Sequence, residues 1–165
     1  MHYKWIDYPA QFEKRIEGWC DQYAMQIAME DDTAKVENQW YLATPDTYTH
    51  IDYNKIALEG DTPIALLMMV VIKEKSIVHF DTLIVNPKMR KQGHGVRALT
   101  DVLQNAEAII GVENPVFVGQ IRKDNNVSIR LMEKLGFQCV DDAHKRDDAW
   151  CNWVYPAGAA ASFDS

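Results

Sequence analysis

Apolar and polar positions divide the chain into a helical first part and a sheet-forming remainder. Apolar side chains at helical spacing after Pro9 predict two short helices or one broken helix over Pro9–Cys20 and Asp21–Asp31. The more polar stretch 33–54 predicts a loop with a helical turn near Val36–Trp40.

A β-hairpin and a third strand are predicted next. Lys55–Glu59 has the pattern of a strand, Gly60–Pro63 that of a tight turn, and Ile64–Lys73 that of a buried strand. Ser76–Val85 is rich in β-branched and aromatic residues, which indicates a third strand of the same sheet.

The last part of the chain alternates helices with strands. An apolar face over Gly93–Ile110 predicts one long amphipathic helix, and Asp124–Leu135 predicts a second helix that ends at Gly136. The remaining strands are predicted at Pro115–Gln120, Phe137–Val140 and Trp150–Tyr155. This order of elements predicts an α/β fold with a mixed sheet.

Length and composition fit a single domain. The chain has 165 residues, of which 47% are hydrophobic and 25% charged, whereas two full domains would need more chain. We expect the domain to span residues 1–156 and the patternless tail 157–165 to be disordered. The longest apolar run, Pro63–Ile72, is too short to cross a bilayer, so no membrane partner is expected.

The charge distribution is uneven. Seventeen basic and twenty-four acidic residues give a net charge of −7, which disfavours a nucleic-acid partner. Residues 21–62 contain nine of the acids and two of the bases, and therefore carry a charge equal to that of the whole chain. Any account of function has to explain this acidic stretch.

The three cysteines indicate the redox state of the protein's compartment, and the five histidines are the main candidates for metal ligands. Cys20, Cys139 and Cys151 are an odd, sparse set without an apolar leader, which favours a reduced, cytoplasmic protein. Cys139 and Cys151 fall on predicted neighbouring strands and are expected to be packing thiols. No metal site is expected, because the histidines have no ligand spacing among themselves or with the cysteines.

The most informative segment is the turn between Val85 and Arg97. Gly93 and Gly95 stand at the start of a predicted helix, where free N–H groups and the helix dipole favour an anion. Four basic residues and no acid accompany them: Lys88, Arg90, Lys91 and Arg97. An ordinary solvated turn is the alternative interpretation. A dinucleotide fingerprint fits poorly, because seven residues separate the strand from Gly93.

The same residues resemble the central motif of the Gcn5-related N-acetyltransferase (GNAT) family. Arg90-Lys91-Gln92-Gly93-His94-Gly95 matches that motif, and Val85-Asn86-Pro87 precedes it as is usual in the family. A second family feature follows at the expected distance, from Asn125-Asn126-Val127-Ser128 through a helix to Lys134-Leu135-Gly136-Phe137. The resemblance covers about residues 55 to 155.

The resemblance implies a single-domain GNAT fold, with a mixed sheet of about six to seven strands, flanking helices and splayed central strands. It implies acetyl-CoA as co-substrate and direct attack of an amine on the thioester. The residues it assigns to cofactor binding are Ile84, Val85, Arg90, Lys91, Gln92, Gly93, His94, Gly95, Val96, Asn125 and Ser128. A homodimer is also compatible with the family.

One departure from the family concerns the acid that protonates the leaving thiolate. Family members often have a tyrosine seven residues after the equivalent of Asn125, where this chain has Met132. The thiolate can leave without a proton donor. Alternatively, Tyr155 or a water molecule donates the proton in place of the missing tyrosine. The alternative is a CoA-binding regulatory domain of the same fold with little or no transfer activity.

Candidate groups for the base and the acceptor amine are less specific. Strand alternation predicts that His79, Asp81, Leu83 and Val85 share one face, which makes His79 and Asp81 the candidate catalytic pair. The acidic stretch lies where the family usually binds its acceptor. Glu30, Asp31 and Asp32 are therefore expected near the mouth of a site for a cationic small molecule or a peptide amine. The alternative interpretation of this stretch is solubility charge on a surface loop, and that of the pair is a structural strand histidine with an exposed aspartate.

Overall fold

The computed structural model describes residues 1–8, 19, 49–140 and 149–156. The two predicted N-terminal helices, the turn near Val36–Trp40, the acidic trio Glu30, Asp31 and Asp32, and the predicted tail 157–165 all lie outside the described residues, as does Cys20.

Seven strands form one mixed sheet in the part of the chain that is described. They are β1 (Lys4–Asp7), β2 (His50–Glu59), β3 (Thr62–Ile72), β4 (Ile77–Val85), β5 (Val116–Arg122), β6 (Gln138–Val140) and β7 (Trp150–Tyr155). Their order across the sheet is β1-β2-β3-β4-β5-β7-β6. All neighbours are antiparallel except β4 and β5, which are parallel.

Among the described residues, three helices accompany these strands: α1 (His94–Gln104), α2 (Ala106–Ile110) and α3 (Asn126–Leu135). Short 3-10 turns occupy Lys73–Lys75 and Pro87–Met89. The connection from β4 through α1 and α2 to β5 is the crossover that a parallel pair requires. This observed architecture confirms the α/β expectation and the strand count.

The predicted hairpin is confirmed, with longer strands than the sequence pattern indicated. β2 begins at His50, so residues 50–54 belong to the sheet and not to the predicted loop. Thr62 and Pro63 belong to β3, which shortens the turn to Gly60 and Asp61. The first half of β2 is only partly buried and therefore contains polar residues. For this reason the hydrophobic pattern did not indicate that the strand begins at His50.

The long helix predicted over Gly93–Ile110 is broken at Asn105. The backbone N–H of Asn105 donates to the carbonyl of Asp101 at 2.8 Å, and its side-chain Nδ2 donates to the same oxygen at 3.1 Å. Asn105 itself has a non-helical backbone conformation, with φ −130° and ψ 34°, which ends α1, and α2 starts at the next residue. The apolar spacing continues through the break because both helices cover the same core.

The two faces of the sheet bury different clusters. Val78, Phe80 and Phe117 pack with Leu99 and Val102 of α1 on what we call the α1 face. On the opposite face one cluster joins Trp19 to Ile56, Leu58 and Leu66, and another joins Ile77 to Val70, Ile72 and Val118.

Cys139 and Cys151 form a disulfide, which corrects the expectation that both are reduced packing thiols. Cys139 pairs with Trp153 across β6 and β7, so Cys151 is its diagonal neighbour on the same face. Their Cα atoms are 6.4 Å apart, within the range that a disulfide spans. The sequence placed the cysteines on adjacent strands, but only the register shows that they meet.

Candidate active site

The two parallel strands separate towards their carboxyl ends. β4 and β5 pair over only four residues, from Ile77–Val116 to Phe80–Gly119. Beyond that point β4 continues to Val85 and still pairs with β3 on its other side. Main-chain groups of residues 82–85 that face β5 therefore have no strand partner among the described residues. This gap is the splay that the resemblance implied, and we call it the split.

The turn at residues 86–96, the glycine turn, lies at the carboxyl end of β4. The Asn86 side chain accepts from the backbone N–H of Lys88 at 3.1 Å and donates to the carbonyl of Pro63 at 3.0 Å, which fixes the start of the turn. Gly93 is the N-cap of α1 with a φ of 80°, and no side chain in the described part of the protein caps this helix end. The first N–H groups of α1 are thus available to an anion.

Most of the predicted cofactor residues lie around this turn. Lys91 and Gln92 are exposed, whereas His94 is only 4% exposed. Arg90 is partly committed elsewhere, because its Nη2 donates to the backbone carbonyl of Trp19 at 2.7 Å. A Cβ on Gly95 would come within 3.7 Å of Leu83 and 3.8 Å of Val85, so α1 packs directly on the end of β4.

Asn125 and Ser128 stand across the split, at the start of α3. Asn125 is the N-cap of this helix, and its Oδ1 accepts from the Ser128 N–H at 3.2 Å. The amide Nδ2 of Asn125 donates to none of the described residues, which leaves it for a ligand. Beside it Arg122 donates to Asp124 at 3.1 Å and lowers the pKa of that carboxyl group from its usual value.

An open space lies over Gly119, at the last pair before the split. Gly119 is buried, yet a Cβ at this position would have no atom of the described residues within 4 Å. Its neighbours Phe117 and Ile121 belong to the core of the α1 face, so alternation puts the space on that face. A buried glycine beside empty space provides a groove for a chain-like ligand.

His79 and Asp81 meet on the opposite face. Nδ1 of His79 lies 2.9 Å from Oδ1 of Asp81, and their side chains are 7% and 11% exposed. The register of β3 and β4 shifts here, since Met69 pairs with Phe80 and Met68 with Thr82. Asp81 is the extra residue of this β-bulge, a device that redirects side chains next to active sites.

The bulge corrects the prediction that Leu83 and Val85 share a face with His79. Leu83 and Val85 pack with Ala98 of α1, on the face that also holds Val78 and Phe80. Strict alternation fails because the inserted Asp81 moves every later side chain to the other side. The pair itself is brought together as predicted.

Met132, which occupies the position of the family's tyrosine acid, and Tyr155, its candidate replacement, both lie in the core of the α1 face. Met132 is 7% exposed and packs in the cluster that contains Phe80 and Phe117. Tyr155 pairs with Phe117, two residues before the split, and its ring lies 5.3 Å from that of Phe137. Tyr155 is also close to Gly136, at the opposite end of α3 from Asn125. The structure therefore does not bring Tyr155 to the split or to His79 and Asp81.

Two further polar residues face the same side as His79. Gln120 and Asn152 pair across β5 and β7, and Asn152 is fully buried. The Nε2 atom of Gln120 is buried and has no hydrogen-bond partner among the described residues. The sequence pattern does not mark either residue as functional, although an amide side chain inside an apolar strand is a usable signal.

Residues 1–8, 19, 49–140 and 149–156 contain no group of three or more side chains that could hold a metal ion together. None of the helices in those ranges combines the length and apolar character that a membrane span requires.

Comparisons with known proteins agree with this geometry. The profile described as "Acetyltransferase (GNAT) family" matches residues 13–137. No curated protein matches the sequence. Solved structures give the fold.

One of them is a spermidine N-acetyltransferase SpeG chimera from Vibrio cholerae and hSSAT, with 11% identity, coverage of 98% of this chain and 99% of that chain, and a TM-score of 0.66. Another is the Vibrio cholerae spermidine N-acetyltransferase in complex with CoA and spermine, with 10% identity, 93% coverage of each chain and a TM-score of 0.62. A third is the Campylobacter jejuni N-acetyltransferase PseH in complex with acetyl coenzyme A, with 16% identity, coverage of 92% and 96%, and a TM-score of 0.59. Because the family profile spans most of the chain and its glycine turn and split are present, this protein belongs to the acetyltransferase (GNAT) family.

Proposed function

We propose that this protein transfers an acetyl group from acetyl-CoA to the primary amine of a cationic small molecule or of a peptide. The observation that carries the proposal is the position of the split. It has the glycine turn at one end, the groove over Gly119 on the α1 face, and the His79–Asp81 pair on the opposite face. A donor and an acceptor can therefore approach one gap in the sheet from two sides.

The residues around the split fit coenzyme A. Free N–H groups at the start of α1 and the basic side chains of Lys88 and Lys91 suit its phosphates. Main-chain groups of Ile84 and Val85, on the strand edge without a partner, suit the amides of its pantetheine arm. The groove at Gly119 gives the arm room, and Nδ2 of Asn125 at the start of α3 is a candidate donor to its amides.

Acetyl-CoA supplies an activated acyl group as a thioester. Residues of the protein have to accept the proton that the amine loses. The acceptor amine must lose a proton before it can attack. We assign this proton to the Asp81 carboxylate, because the bulge places Asp81 one residue beyond the last pair of β4 and β5. His79 holds the carboxylate through the contact of 2.9 Å. Met132 has no proton to donate, so α3 gives the leaving thiolate no acid at this position.

The acceptor class rests on charge. Residues 21–62 combine nine acids with two bases, and a negative surface raises the local concentration of a cation. Two solved neighbours carry spermidine or spermine in their descriptions, which supports polyamines as the first acceptors to try.

A thiol-release assay with acetyl-CoA tests the proposal directly. We expect release to depend on an added amine, with polyamines, aminoglycosides, amino acids and peptides compared at equal concentration. A cationic amine should give the highest kcat/KM. If CoA binds but no amine supports release, the protein is the regulatory CoA-binding domain considered from the sequence.

The groove at Gly119 yields a separate prediction. Replacing Gly119 with valine should leave the fold intact, because no atom lies within 4 Å of the new Cβ and valine suits a strand. The same side chain should obstruct the pantetheine arm and weaken CoA binding by about tenfold or more, since overlap with a bound ligand costs more than 1 kcal/mol. Calorimetric titration with CoA measures the effect, and thermal unfolding checks the fold.

The matched variant is Gly119→Ala, whose smaller side chain should weaken binding less. Unchanged CoA affinity in the valine variant would show that the arm does not pass over Gly119.

A further inference from the structure

We propose that Tyr3 of the N-terminal strand is a positioning residue for the cofactor, and that it acts by holding Arg97 over the glycine turn. The proposal rests on the proposed function, because it takes the glycine turn as the site of the CoA phosphates. Neither Tyr3 nor Arg97 belongs to the glycine motif, and Tyr3 is distant from it in sequence.

Three side chains form a compact hydrogen-bonded group. The Tyr3 hydroxyl lies 2.6 Å from Nδ1 of His94, and Nε of Arg97 donates to that hydroxyl at 3.3 Å. Nη2 of Arg97 lies 3.1 Å from the same Nδ1. A guanidinium group can only donate, so Nδ1 of His94 is the acceptor, and the Tyr3 hydroxyl and Nη2 of Arg97 share its single lone pair. Tyr3 and His94 are 5% and 4% exposed.

This group fixes where the charge of Arg97 lies. Nη1 is 3.3 Å from the position of a Cβ on Gly93, the residue whose φ of 80° starts α1. The guanidinium therefore sits beside the free N–H groups of the first helical turn. None of the described carboxylates forms an ion pair with Arg97.

A cation beside the positive end of a helix dipole is unfavourable without an anion. The contacts of Nε and Nη2 are both with neutral groups, and Nη1 is directed to the turn. A phosphate bound there would meet the helix N–H groups and a guanidinium that is already oriented. Orienting a side chain before binding removes the entropy cost of ordering it in the complex. Tyr3 thus contributes to cofactor affinity without touching the cofactor.

A double-mutant cycle with CoA tests this coupling. Removing only the hydroxyl in Tyr3→Phe should raise the Kd for CoA about fivefold, and Arg97→Met should raise it about thirtyfold through loss of a charge-assisted phosphate contact. In the Arg97→Met background the Tyr3→Phe change should have no further effect. The affinity of wild-type protein should also fall more steeply with salt than that of Arg97→Met.

The matched control is Trp5→Phe on the same strand. Its indole Nε1 donates to Asp101 at 3.1 Å, on the same helix but away from the turn. This variant should lower the melting temperature and leave the Kd for CoA unchanged. A role of Tyr3 in general stability would instead make the two variants alike in both measurements.

Three results would overturn the proposal: an unchanged Kd in Tyr3→Phe, an equal effect of that change with and without Arg97, or equal salt slopes. These outcomes concern CoA binding alone. Failure of the proposed function is recognised separately, by a wild-type protein that does not bind CoA or does not release thiol with any amine.

Discussion

Replacing Asp81 with asparagine is expected to lower kcat by about a hundredfold or more, the usual contribution of a general base. The substitution keeps the size of the side chain and a hydrogen-bonding oxygen for Nδ1 of His79, 2.9 Å away. It removes the carboxylate that would take the proton of the acceptor amine. Because the residues proposed to contact the phosphates and the pantetheine arm lie elsewhere, the KM for acetyl-CoA should change little. Steady-state kinetics with the best amine from the thiol-release assay measure both constants.

Two variants make this result interpretable. His79→Gln should lower kcat by about tenfold, because the carboxylate remains but is less well held. Asp7→Asn removes an exposed carboxylate from β1 and should leave the kinetics as they are. A loss in His79→Gln as large as in Asp81→Asn would assign the proton to the imidazole. Full activity of Asp81→Asn would exclude this carboxylate as the base.

The central strands and the glycine turn could be predicted because their signals are local. The apolar run of β3, the β-branched content of β4 and the two glycines before α1 each lie within one stretch of sequence. Pairing with neighbouring strands makes β2 and β3 longer than their sequence patterns predict, but both segments are strands as predicted.

The features that were not predicted depend on register or on distant partners. β1 has four residues and is an edge strand, and its pairing partners in β2 are about fifty residues away. The bulge at Asp81 is visible only when Met68 and Met69 are aligned with Phe80 and Thr82. In the same way, the sequence assigns His94 to the glycine motif but does not reveal its partner Tyr3, which lies 91 residues earlier in the chain.

Replacing Asp101 with alanine is expected to lower the free energy of unfolding by about 3 kcal/mol, because a buried carboxylate with several donors is lost and the donors keep no partner. Asp101 lies on α1 and is 1% exposed. Its Oδ1 and Oδ2 accept from the His2 N–H at 2.7 and 2.9 Å, and Oδ2 accepts from the Tyr3 N–H at 3.0 Å and from Nε1 of Trp5 at 3.1 Å.

These bonds attach the N-terminal strand to a helix about a hundred residues later in the chain. The helix itself does not need the carboxylate, since the bonds that end α1 use the backbone carbonyl of Asp101. We therefore expect the loss to come from detachment of residues 2–5 and not from unwinding of α1. Urea unfolding followed by circular dichroism measures the total loss.

Two further measurements show which part of the protein loses stability, separately from the total free energy of unfolding that is lost. Trp5→Phe removes one of the donors and should cost about 1 kcal/mol. Hydrogen exchange in Asp101→Ala should accelerate at the β1 amides and at their partners in β2, while the amides of β3 and β4 keep their protection. If exchange instead accelerates evenly over the sheet, or the loss stays below about 1 kcal/mol, Asp101 does not anchor the strand. Because Tyr3 is part of the segment that detaches in Asp101→Ala, the Asp101→Ala variant should also weaken CoA binding, which would link the stability of β1 to the glycine turn.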